Sequence, residues 1–195
     1  NSVAEYTINL MLTIMRQSYK SNIALRDGIW KKFIGNSIEG SNIGLFGAGR
    51  IGKEVIRLIS IFKPNKIMVY DPFVKHSSLE DFDVIWSEKD QILSESNLIS
   101  MHLPLSDETR DFIVMRDMRK MLPDSVLINT SRGGIINEQD LYEALKKNII
   151  GGAAIDVFDE EPYTGNLSEL DNCFISAHMS PMSSAARKKM ELDTA

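Results

Sequence analysis

The sequence predicts a doubly wound α/β domain on a parallel sheet, and three observations carry that expectation. Short apolar runs alternate with helical patterns between Ile43 and Ile175. The runs are mostly continuous, as in strands buried on both faces. One strand-to-helix junction, Gly47-Ala48-Gly49-Arg50-Ile51-Gly52, has the form GxGxxG.

In chain order, Ser2-Val3-Ala4-Glu5 has the S-x-x-E form of a capping box, which starts a first helix running to about Arg16. Its middle, Ile8, Leu10, Met11, Leu12, Ile14 and Met15, is apolar nearly all round. A surface helix shows one apolar stripe, so a second buried face implies contact with another domain or subunit. Ile43, Leu45 and Phe46 read as a buried strand, and Ile51, Val55, Leu58, Ile59 and Phe62 fit one face of the following helix.

Between them, Gly47 allows the tight turn, Gly49 lets backbone approach a phosphate, and Gly52 lets the helix pack close to the strand. Free N–H groups of the first helical turn then point at the anion. A glycine-rich turn alone is more often only a turn, so the next strand decides. Lys66 to Tyr70 is that strand, entered through Pro64-Asn65 and closed by Asp71, 19 residues after Gly52. This is the spacing of a carboxylate that accepts hydrogen bonds from adenosine ribose hydroxyls. Such a carboxylate repels a 2′-phosphate, which favours NAD(H) over NADP(H), with Lys75 and His76 nearby to complicate the preference.

Further strands are expected at Val84 to Trp86, Leu98 to Met101, Val126 to Ile128, Ala153 to Val157 and Phe174 to Ile175. Helices are expected around Asp90 to Leu93, Met115 to Met121 and Glu138 to Lys147, the last with Asn137 and Asp140 as cap and N3 acid. A final helix, Ser184 to Leu192, is cut short at Ala195, and the chain begins at Asn1 without a methionine, so it reads as one excised domain over 1–195.

At 195 residues with 43% hydrophobic side chains, the chain can build one full core. A net charge of −5 without a basic block argues against nucleic acid as a partner. The longest early apolar stretch, Ile8 to Met15, falls far short of the ~20 residues of a membrane span and lacks a basic leader, so a soluble cytoplasmic protein is expected. Cys173 lies in an apolar run and reads as a buried thiol, and the three histidines are too scattered for a local metal motif.

Ligands of such sheets sit beyond the carboxyl ends of the strands. That rule selects Gly47 to Gly52, Asp71, His102 to Pro104, Asn129 to Arg132, Asp156 to Glu161, and His178. Individually, Arg132 reads as a loop arginine paired with a surface acid, Glu161 as part of a solvated acidic loop, and His178 as a structural hydrogen bonder. Together they supply a fork for a carboxylate, a proton donor, and an acid favouring the donor's charged form, which hydride transfer at an α-keto acid requires.

These residues resemble the D-isomer-specific 2-hydroxyacid dehydrogenases over nearly the whole chain. The matching motifs are Ser2 to Glu5, Gly47 to Gly52, Tyr70-Asp71-Pro72, His102-Leu103-Pro104-Leu105 with Glu108-Thr109, Asn129 to Gly134, and Gly152 to Phe158 through Glu161-Pro162. The resemblance implies a Rossmann-type domain that binds NAD and acts on a small 2-keto or 2-hydroxy acid. Arg132 would hold the substrate's carboxylate and carbonyl, His178 would protonate the carbonyl oxygen, and Glu161 would keep His178 charged. Arg50 and Ile51 would reach the pyrophosphate, and Asp71 the adenosine ribose. Pro104 and Thr109 would line the adenosine side, Thr130 and Ser131 the ribose near nicotinamide, and Asp156 the carboxamide, with His102 among the cofactor contacts.

Family members dimerise through this domain, so a homodimer is expected. Two departures stand out. The chain reads Ser176-Ala177-His178-Met179-Ser180-Pro181 where the family usually has proline before the histidine and often a glycine soon after. A substrate domain of about a hundred residues is absent. A dinucleotide-sensing corepressor on the same fold is the alternative from another class; a formate dehydrogenase relative is disfavoured because that branch carries glutamine in place of Glu161.

Overall fold

The computed structural model describes residues 2–183, so the helix expected from Ser184 to Leu192 lies outside the described residues. Seven strands form one parallel sheet in the order β3-β2-β1-β4-β5-β6-β7. They are β1 (Asn42–Phe46), β2 (Lys66–Tyr70), β3 (Ile85–Trp86), β4 (Leu98–Met101), β5 (Val126–Asn129), β6 (Gly152–Ile155) and β7 (Cys173–Ile175). The helices are α1 (Ser2–Met15), α2 (Ser18–Arg26), α3 (Arg50–Ser60), α4 (Lys89–Glu95), α5 (Met115–Met118) and α6 (Glu138–Lys146).

Alternate residues of each strand feed two separate cores, as period-two side-chain placement requires. Ile43 and Leu45, Ile67 and Val69, Val126 and Ile128 face α1 and α3, meeting Leu10, Met11, Val55, Ile56 and Ile59. Phe46, Met68, Ile99, Met101 and Leu127 face the other way, against Ile92 and Leu93 of α4, Met118 of α5, and Leu141 and Leu145 of α6. Burial on both faces explains the unbroken apolar runs. Cys173 is buried in the second core, and desolvation pushes its thiol up to about 12.

The apolar girth of α1 has an explanation inside the chain, which corrects the inference of an external partner for it. Ala4, Thr7, Ile8, Leu10, Met11, Ile14 and Met15 are all buried. The helix packs against α3, α2, β5 and β6, so it is wrapped by its own domain. A run of exposed large apolar groups lies just beyond it: Ile23 and Leu25 on α2, then Ile29, Trp30 and Ile34 on the arm that follows. That helix gave no periodic signal because none of its residues is buried.

Other boundaries differ for local reasons. The expected helix to Met121 is regular only to Met118; Lys120 and Met121 make three-residue turns back to Asp117 and Met118, ahead of Pro123. β6 stops at Ile155 rather than Val157, where its pairing with β5 and β7 also ends. Asn137 caps α6 by accepting the Asp140 N–H at 3.0 Å, yet the Asp140 carboxylate turns to the Met115 N–H at 2.8 Å. Asp140 therefore joins α6 to α5 instead of closing a capping box.

Candidate functional site

The register of the sheet lines up its carboxyl ends. Phe46 pairs with Tyr70 and Met101, Met101 with Asn129, Asn129 with Ile155, and Ile155 with Ile175. The residues that follow these strand ends, Gly47, Asp71, His102, Thr130, Asp156 and Ser176, consequently form one row along the sheet edge.

At the centre of the row, Gly47 has φ +103° and donates its N–H to Tyr70 O at 2.8 Å. A Cβ there would stand 2.6 Å from the His102 carbonyl, and a Cβ on Gly52 would stand 2.1 Å from Gly47 O. Only glycine allows the turn, the start of α3 and the end of β4 to meet so closely. At Gly49 a Cβ would meet nothing within 4 Å, so the space in front of the helix start is open. Asp71 ties the row together, with Oδ2 accepting the Ala48 N–H at 2.7 Å and Oδ1 accepting those of Phe73 and Val74 at 2.9 and 3.1 Å.

A cleft of about 750 Å3 opens over this turn, walled by Gly49, Arg50, Ile51, His102, Pro104, Thr130, Ser131, Arg132 and His178. An open helix N-terminus beside a glycine turn, with a carboxylate at the next strand end, fits a dinucleotide. His102 sits with Nε2 3.0 Å from Ser100 Oγ, and burial pushes its imidazole down to about 4, so it is neutral at pH 7.

Other residues named from the sequence hold the walls in place. The buried Thr109 hydroxyl donates to Pro104 O at 2.6 Å and accepts the Ser106 N–H at 2.8 Å, which shapes the loop that presents Pro104. Asp156 is fully buried; it takes the Ser176 hydroxyl at 2.5 Å and the Met179 and Ser180 N–H groups at 2.8 Å. Both its oxygens thus organise the loop carrying His178.

Thr130 shows a contact that sequence reasoning missed, a 2.7 Å hydrogen bond to Thr7 on α1. Thr7 donates its single proton to Val3 O at 2.8 Å, so Thr130 must be the donor between the two hydroxyls. Toward any further partner the Thr130 hydroxyl can then only accept. Asn129, which the strand-end rule selects without giving it a role, accepts from the Ser131 N–H and hydroxyl and donates to Arg132 O at 2.9 Å, fixing that turn.

Arg132, Glu161 and His178 come together around a recess of about 330 Å3 beside the cleft. His178 Nδ1 lies 2.9 Å from Glu161 Oε2, while Glu161 Oε1 accepts the Phe158 N–H at 3.1 Å. The hydrogen bond from His178 holds the Glu161 carboxyl below the usual range. An ionised carboxylate only accepts, so Nδ1 carries a proton and Nε2 is the ring nitrogen left to exchange one. His178 has φ +52°, an unusual conformation for a non-glycine residue, and its N–H is held by Asp156 O at 2.9 Å. Arg132 is exposed and donates to Ser131 O at 2.6 Å. Among the described residues no group of three or more His, Cys, Asp or Glu side chains could hold a metal ion.

Residues 8–180 match the model of the D-isomer specific 2-hydroxyacid dehydrogenase, NAD binding domain. D-3-phosphoglycerate dehydrogenase of Methanocaldococcus jannaschii is 36% identical over 96% of this chain and 36% of its own length. Glyoxylate reductase of Thermococcus litoralis is 32% identical over 97% of this chain and 60% of its own. Among solved structures, a glyoxylate reductase from Paecilomyes thermophila superposes with a TM-score of 0.91 at 31% identity, covering 98% of this chain and 59% of that one. D-lactate dehydrogenase from Aquifex aeolicus, complexed with NAD and lactic acid, gives 0.90 at 25% identity, covering 100% and 64%. This chain spans 36% and 60% of the length of the two curated relatives just named. It belongs to the D-isomer specific 2-hydroxyacid dehydrogenase family and carries that family's NAD-binding domain.

Proposed function

We propose that residues 1–195 form the NAD-binding part of a longer cytoplasmic dehydrogenase that interconverts a small 2-keto acid and its 2-hydroxy acid. The observation that carries this reading is the 2.9 Å Glu161–His178 hydrogen bond sharing a recess with Arg132 at the lip of the cofactor cleft. Bound NAD(H) supplies or accepts the hydride. In reduction, His178 gives a proton from Nε2 to the carbonyl oxygen as the carbonyl carbon becomes C–OH. Arg132 swings from Ser131 O to clamp the substrate carboxylate with its planar fork. Glu161 stays ionised, holds the imidazole in orientation and stabilises its charged form.

Cofactor roles follow the cleft. Gly47, Gly49, Gly52, Arg50 and Ile51 seat the pyrophosphate, Asp71 binds the adenosine ribose and disfavours NADP(H), Thr130 accepts from the nicotinamide ribose with Ser131 beside it, and Asp156 acts chiefly by holding the His178 loop. Pro104 and Thr109 shape the adenosine wall, with His102 at its floor. The partner is a second copy of the chain, received on Ile29, Trp30 and Ile34; Trp30 is 82% and Ile34 94% exposed. The corepressor alternative gains nothing from the comparisons, because the relatives named above are reductases and dehydrogenases.

Glyoxylate, hydroxypyruvate, pyruvate and 3-phosphohydroxypyruvate, each supplied with NADH to the full-length protein, test the reading. NADH oxidation with at least one of them is expected, at a rate that Arg132→Ala cuts mainly through a raised KM. Absence of turnover with every 2-keto acid, while NADH still binds, would contradict it.

A further inference from the structure

The loop that carries Glu161 is held at two consecutive amides by two different glutamates. Glu161 Oε1 accepts the Phe158 N–H at 3.1 Å, and Glu138 Oε1, from the first residue of α6, accepts the Asp159 N–H at 2.6 Å. On its other side the loop is pressed against the Gly133-Gly134 turn that follows Arg132. A Cβ on Gly133 would stand 1.9 Å from Phe158 O, and one on Gly134 would meet Asp159 Oδ1 at 2.8 Å and Arg110 Nη1 at 2.9 Å. Arg110 in turn pairs with Asp159 at 3.5 Å.

Glu138 pays a cost for this position. Burial raises its pKa, and the nearby charges of Asp159 and Glu160 raise it further, while the Asp159 N–H is what opposes them. A carboxylate kept among two like charges to receive one amide is poorly explained by stability alone. It is well explained by the need to fix where residues 158 to 161 run, because Glu161 must meet His178 Nδ1 at 2.9 Å.

The geometry points to Glu138 as a positioning residue for the reaction: through the Asp159 amide it sets the loop from which Glu161 orients His178. It lines neither the cleft nor the recess. The role rests on the proposed work of Glu161 and His178, and the test separates the two.

In the full-length protein, Glu138→Ala should lower kcat on the order of tenfold to a hundredfold with NADH affinity unchanged, the size of effect that a small misplacement of a catalytic group produces. Glu138→Gln, which keeps an oxygen acceptor, should restore most of that loss. In a Glu161→Gln background, Glu138→Ala should cost less than about twofold, because residues acting as one unit are non-additive. Wild-type kcat in Glu138→Ala beside an impaired Glu161→Gln would overturn the role of Glu138 and leave the dyad standing; an unimpaired Glu161→Gln would overturn the dyad itself. Equal losses from Glu138→Ala in both backgrounds would also overturn the positioning role. Exchange of the Asp159 amide in the wild-type protein needs no variant: slow exchange is expected, and exchange at the rate of a free amide would refute the clamp.

Discussion

Asp71 shows how much one residue could say from sequence and what only coordinates add. Its place at the end of β2, 19 residues past Gly52, is the spacing of a ribose carboxylate, the role proposed for it. Its grip on the Ala48 N–H, which also braces the glycine turn, is a long-range contact with no sequence signature. Asp71→Ala should weaken NADH binding on the order of tenfold and narrow the preference over NADPH, as loss of a charge-assisted hydrogen bond does. Fluorescence titration with both cofactors checks this; unchanged affinity for each would remove the assignment.

His102 makes a pH prediction with a definite sign. Its folded value of about 4 lies below the ordinary 6.5, so between these values the unfolded chain binds a proton that the folded chain refuses. Acid should therefore destabilise the fold over that window, by at most about 3 kcal/mol from this residue. The ring signals of His102 should stay those of a neutral imidazole from pH 5 to pH 9 in an NMR titration, and a midpoint near 6.5 would contradict the lowered value. Thr7 stayed invisible for the same reason as the Ala48 contact: its partner Thr130 is 123 residues away.

Elements with a buried face were legible because burial imposes a period. The α3 stripe and the strands of the two cores all follow one, and each was placed within a few residues. α2 was not legible, since it is held by a few polar and edge contacts, among them Tyr19 donating to Asp171 O at 2.6 Å and meeting Phe174 edge-on. The arm after it carries the apolar surface that α1 was expected to present. Trp30→Glu with Ile34→Glu should convert a dimer to a monomer without changing its fold, since both side chains are exposed in the single chain. Analytical ultracentrifugation with circular dichroism measures both; a doubly substituted protein that still sediments as a dimer would place the interface elsewhere.

At the scale of the molecule, a parallel sheet whose strands end in register turns six separated stretches of sequence into one edge. This is why the strand-end rule selected residues that line the cleft, Gly49 to Ile51, His102 to Pro104, Thr130 to Arg132 and His178, without any knowledge of side-chain contacts. What the sequence could not convey is the division of labour along that edge. Asp156 and Asn129 are consumed in holding loops, Asp71 braces the glycine turn, and Arg132, Glu161 and His178 meet at a common recess that Arg110 and Asp159 also line. Side-chain direction at a strand end depends on the loop beyond it, and such loops have no period to read.

The central claim is that His178 is the proton donor of this recess and not a cofactor ligand. The most direct measurement is kcat for 2-keto acid reduction, together with NADH affinity, in full-length His178→Gln. The account predicts that kcat falls by at least about a hundredfold while NADH affinity stays within about twofold of wild type. Retained turnover, or a loss confined to NADH binding, would contradict it.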